Sequence, residues 1–159
     1  MPFRLWGRWE RIRQEELSTT IKIQESDRAI LRSHMANLHG NPRSIKRFVN
    51  TYLLAKGINT LTSLNLPEEL KLEDLAAWLV LLQSWPHYGS LLTGHAARVK
   101  AQKYEPLFPE GWAKSIVTEE PPPELIAFVQ SNREKLERLA SSSRGLDIAR
   151  CFSFFTVDA

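Results

Sequence analysis

Between residues 75 and 82 the chain reads LAAWLVLL, eight apolar residues in a row, and elsewhere apolar positions mostly recur every three or four residues. That period is helical. Residues 3–17, FRLWGRWERIRQEEL, place Leu5, Trp6, Trp9, Ile12 and Leu17 along one side of an amphipathic helix. TTIKI at 19–23 alternates and predicts a short strand near residues 20–24. Ser26 or Asp27 is expected to cap a helix running to about Leu38, with Ile30, Leu31, Met35 and Leu38 turned inward. A helix follows from Pro42 to near Gly57, and INTLTSLNLP after it reads as a loop.

The most apolar helix starts near Leu72, with Glu73 and Asp74 in its first turn, where carboxylates suit the helix dipole. Pro86 stops it and opens another helix, PHYGSLL. Residues 94–120 predict short helical pieces interrupted by Pro106 and Pro109. PPPELIAFVQSNREKLERLA is a helix opened by prolines and ended by SSSRG, and the apolar tail LDIARCFSFFTVDA is expected to pack on the rest. The fold class is all-α, an irregular bundle of six to eight helices. Residues 1–25 form an N-terminal amphipathic helix and strand fragment, and residues 26–159 a helical domain.

One stretch does more than specify a helix. HGNPRSIKRFVNTYLLAK at 39–56 puts Asn41 at the N-cap and Pro42 at the first helical position, where no amide donor is needed. Ile45, Phe48, Val49, Tyr52 and Leu53 make its apolar face, and Arg43, Lys46, Arg47 and Asn50 lie off that stripe. Arg43 sits in the first turn, against the positive pole of its own helix, at a cost of a few tenths of a kcal/mol, roughly. A cation so placed points to an anion brought from elsewhere.

Composition changes this picture in one respect. The chain of 159 residues is 43% apolar and 25% charged, ordinary values for one globular domain. Its net charge of +3 is uneven: residues 1–56 hold eleven Lys/Arg against five Asp/Glu, the remainder ten against thirteen. The basic half is the half containing GNPR, which suits a phosphate-bearing partner. The longest apolar run falls far short of the ~20 residues that span a bilayer. MPFRLWGRWERIR has no apolar core of signal-peptide length, and the single cysteine, Cys151, excludes an internal disulfide, so a cytoplasmic location is expected.

Several chemistries are absent from the sequence. It holds no GxxxxGK[ST], GxGxxG, CxxC, HExxH or GxSxG. Of its histidines, His34 and His39 are five apart and do not share a helical face, and no metal site is expected. No catalytic residue is assigned. The Trp6/Trp9 helix, with Arg4, Arg8, Arg11 and Arg13, either packs on its own domain or meets a partner or a membrane surface.

At GNPRSIKRFVN the chain resembles the C-terminal helical part of KAP-type P-loop NTPases, a STAND/AAA+-related group with bacterial anti-phage and membrane-associated members. The residues that carry the resemblance are Gly40, Pro42, Arg43, Lys46, Arg47 and Asn50. A second block, WLVLLQSWPHYGSLL at 78–92, is similar to the family's following helix through Trp85, Pro86 and Tyr88. Residues 20–105 carry most of the likeness. The GxPR pattern also resembles the sensor-2 arginine of AAA+ proteins, which a lid helix presents to the γ-phosphate of ATP.

The resemblance implies that Arg43 senses a nucleotide phosphate, with Lys46, Arg47 and Asn50 secondary and Gly40, Asn41 and Pro42 forming the helix start. ATP with Mg would be a cofactor only of a complete NTPase and not of the chain alone, for which low ATP affinity and no hydrolysis are expected, because the family's Walker A and Walker B belong to an upstream domain missing from this sequence. The expected partner is a P-loop nucleotide-binding domain, met through Trp6 and Trp9. Such a partner could also bring the chain to a membrane. Self-association is left open. The competing readings are, first, a helix-turn-helix-like nucleic-acid-binding domain, nucleic acid being less expected as a partner than a P-loop domain, and then a non-catalytic protein-interaction module.

Overall fold

The computed structural model describes residues 22–63, 70–102, 106–116 and 119–153. Seven α-helices and one 3-10 turn occupy them: α1 (Glu25–His34), the 3-10 turn (Met35–Leu38), α2 (Pro42–Ser63), α3 (Leu72–Ser84), α4 (Pro86–Gln102), α5 (Trp112–Ile116), α6 (Pro123–Ser141) and α7 (Ser143–Ser153). The architecture is all-α, and there is no strand among the described residues. Lys22 to Gln24 lead into α1 without strand pairing; Thr20 and Ile21 lie outside the described residues, as does the predicted helix at 3–17.

The organising element is α3. Every residue from Asp74 to Leu82 is buried, so the helix is covered all round, as a helix without a polar face must be. It contacts α1, α2, α4, α6 and α7. Trp78 is fully buried and its indole Nε1 donates to Thr93 Oγ1 at 3.1 Å, which meets its one polar requirement inside the core. Gly89 lets α4 cross α3 closely, since a Cβ there would lie 2.9 Å from Leu82 Cα. Asp74, buried at the start of α3, accepts a two-pronged contact from Arg138 on α6, with Nε at 2.9 Å and Nη2 at 2.8 Å. That geometry fixes the angle of the two helices as well as pairing their charges.

The structure corrects several local expectations. Gln24 is the N-cap of α1 and Asp27 occupies the third position, where its Oδ2 accepts from Gln24 N at 2.8 Å. The helix stops at His34, and the tighter 3-10 turn after it leaves Met35 exposed while Leu38 is buried. Beyond Gly57, α2 continues to Ser63 where a loop is expected, because Lys56 and Asn59 are both tied into the core by polar contacts. Residues 94–102 extend α4 instead of forming a broken piece. After SSSRG the chain re-enters a helix: Ser142 Oγ accepts from Gly145 N at 3.0 Å and caps α7.

The basic start of α2

His39 (φ 54°) and Gly40 (φ 63°) form a left-handed pair that turns the chain sharply after the 3-10 turn. Glycine adopts that conformation freely, and histidine is among the residues that tolerate it. Asn41 then caps α2 as expected: its Oδ1 accepts from Arg43 N at 3.0 Å, and its carbonyl accepts from Ile45 N at 3.0 Å. Pro42 occupies the first helical position. Gly40, Asn41, Pro42 and Arg43 are all exposed.

The structure brings Arg43, Lys46, Arg47 and Asn50 together on the outward face of α2, all four exposed. Among the described residues no carboxylate lies within ion-pair distance of the three cations. The opposite face is buried as expected through Phe48 and Tyr52, with Ile45, Val49 and Leu53 packed partly against the core. The segment leading into the helix is held from α3: Ser84 Oγ donates to Asn37 O at 3.0 Å, and Gln83 Nε2 donates to Ser44 O. The cationic turn is therefore mounted on the most buried helix of the fold.

Further along the same helix, charge is treated in the opposite way. Asp27 of α1 is fully buried; its Oδ1 accepts from Tyr52 Oη at 2.7 Å, and its Oδ2 from Lys56 Nζ at 2.6 Å. Burial pushes the carboxyl up, but the hydrogen bonds from Lys56, Gln24 and Tyr52 outweigh it and hold Asp27 below the usual carboxylate range. Burial and the Asp27 carboxylate together push the Tyr52 phenol well above its ordinary value. This cluster joins α1 to α2, and with all three side chains out of reach of solvent it is built for structure. One turn on, Asn59 Nδ2 donates to Leu70 O at 3.4 Å and Asn59 Oδ1 accepts from the buried Arg144 of α7. Nothing in the local pattern of the sequence marks these contacts, since Asp27 and Lys56 are 29 positions apart.

The second block of the resemblance serves packing. Trp85 ends α3 and stacks at a tilt on Phe128 with ring centroids 5.3 Å apart, Pro86 opens α4, and Tyr88 Oη reaches the carbonyl of Glu120 at 3.5 Å. His34 is buried between Phe48 and Phe128, each ring centroid 6.3 Å away, with neither ring nitrogen hydrogen-bonded. Burial, and secondarily the charge of Lys135, push its pKa down to about 4, so the imidazole is neutral in the fold. Among the described residues no His, Cys, Asp and Glu are grouped to hold a metal ion, and no helix is long and apolar enough to cross a membrane. Trp6 and Trp9, expected at a partner interface, lie outside the described residues. No family model, curated protein or solved structure matches the chain.

Proposed function

We propose that the chain is a helical lid-type module that presents Arg43 to a phosphate of ATP, the nucleotide and its Mg being held by a P-loop domain that this module joins or partners. One observation supports the reading above the others. Arg43 stands exposed in the first turn of α2, opposed by its own helix dipole and without a carboxylate partner among the described residues. An arginine suits the role because it stays charged and can hydrogen-bond two phosphate oxygens at once. Lys46, Arg47 and Asn50 share its face and add to the attraction without reaching the same oxygens. The sequence holds no phosphate-cradling loop, so the module does not hydrolyse nucleotide by itself. Removal of the γ-phosphate would release Arg43 and let the lid change its packing on the partner.

The helix-turn-helix alternative is weakened by the connection. Seven residues, 35–41, separate α1 from α2, where that motif uses a turn of three or four.

The test is reconstitution with a P-loop domain encoded beside this chain, recognised by GxxxxGK[ST] after an apolar strand. Arg43→Ala is expected to weaken ATP binding by the assembled protein about 10- to 100-fold, the range for one lost charge-assisted hydrogen bond. Unchanged binding would remove the proposal.

A further inference from the structure

The outward face of α2 does not end at its cations. Leu54 is 60% exposed and Leu61 46%, large values for leucines in a helix whose other face closes a core. Arg47, Thr51 and Leu54 line a groove together with Leu79, Leu82 and Gln83 of α3 and Phe152 of α7. The cavity at its centre measures about 270 Å3, room for an incoming side chain to seat. From Arg47 to Leu61 the stripe runs fourteen residues, about 21 Å at the helical rise. A small molecule in the cavity would leave Leu61 bare, whereas a helix of about four turns would cover the whole stripe.

Charge selects the kind of helix. α2 contains no Asp or Glu over its 22 residues; Arg47 lines the groove, and Arg43 and Lys46 stand in the preceding turn, none of the three with a carboxylate partner among the described residues. A second copy offering the same helix would bring like charge against like. We infer that this groove is a docking site for an amphipathic helix of a partner protein, with leucine-type residues at i, i+3 and i+7 and carboxylates along their border. The groove shares Arg47 with the phosphate reading but is not lined by Arg43, so the Leu54→Glu test below does not depend on that reading.

The probe is a synthetic 18-residue amphipathic peptide with leucines on one face and glutamates beside them, titrated into the full chain and followed by calorimetry. A second peptide replaces every glutamate by lysine. The glutamate peptide is expected to bind at least about tenfold more tightly than the lysine peptide, with the difference shrinking as salt rises. Leu54→Glu is expected to weaken the glutamate peptide by at least about tenfold, and because Leu54 is exposed this variant keeps the wild-type unfolding midpoint. Arg47→Glu is expected to narrow or reverse the preference between the two peptides. Equal binding of both peptides, or no binding of either, overturns the inference. So does a dimer in sedimentation that Leu54→Glu dissolves, since the occupant would then be a second copy.

Discussion

The two halves of α2 handle positive charge in opposite ways. At its start Arg43, Lys46 and Arg47 are exposed and lack carboxylates among the described residues, although the first of them opposes the helix dipole. Two turns later Lys56 is 6% exposed, and its ammonium lies 2.6 Å from a carboxylate that also holds a tyrosine hydroxyl and a backbone amide. A buried charge must have partners, because removal from water costs several kcal/mol per ion, roughly, unless they are there. An exposed charge has no such requirement, so its position is free to answer to something outside the fold. The helix thus separates a half whose cation is tied into the core from a half whose cations are left to solvent, and only the second is available for the phosphate contact proposed above.

The largest effect expected in the half tied into the core is for Asp27→Ala. It strands Lys56 and the Tyr52 hydroxyl in the core and should cost about 3–5 kcal/mol in urea unfolding. A loss under 1 kcal/mol, roughly, would mean that Lys56 escapes to water and that the contrast between the halves is weaker than described.

Next in size is the response to acid. His34, which packs on Phe48 of α2, has a pKa lowered to about 4 from an ordinary 6.5. Above pH 6.5 its neutral form costs nothing. As the pH falls from 6.5 towards 4 the unfolded chain takes up a proton that the folded chain refuses, and stability should decline by roughly 3 kcal/mol over that window. Asp27, held below its ordinary range, contributes stability that is fully present above that range. Its contribution is lost only as the pH drops through its lower folded value, beyond the histidine window. Unfolding midpoints measured across pH 4–6.5 should therefore slope in the wild type and lie flatter in His34→Leu. Tyr52→Phe comes third: it keeps the ring and removes one hydrogen bond to a charged group, at a cost of about 2 kcal/mol in the same unfolding assay.

How much of this was legible in the sequence depends on the range of the interaction. The α3 run was readable because eight consecutive apolar residues leave no polar face, and the start of α2 because Asn41 and Pro42 act on their immediate neighbours. The continuation of α2 past Gly57 was hidden. Gly57 and the Asn, Thr and Ser of INTLTS read as a loop although Ile58 and Leu61 keep helical spacing, and the segment is held by Asn59 reaching Leu70 and Arg144. The buried cluster was hidden for the same reason: Asp27 reads locally as a helix-start residue, and only the fold brings Lys56 to it. The exposed cations were named from the sequence, but their lack of carboxylate partners among the described residues needed the fold, as did the groove beside Leu54, whose lining includes residues of other helices.

The smallest expected effect tests the division most directly. The variant Arg43→Ala/Lys46→Ala/Arg47→Ala removes every free cation from the start of α2 and leaves Asp27, Tyr52 and Lys56 untouched. Its urea midpoint should match or slightly exceed the wild-type value, because alanine favours the helix and relieves the dipole clash by a few tenths of a kcal/mol, roughly. A loss of several kcal/mol would show that these cations hold the fold together, and the recognition role given to them here would be wrong.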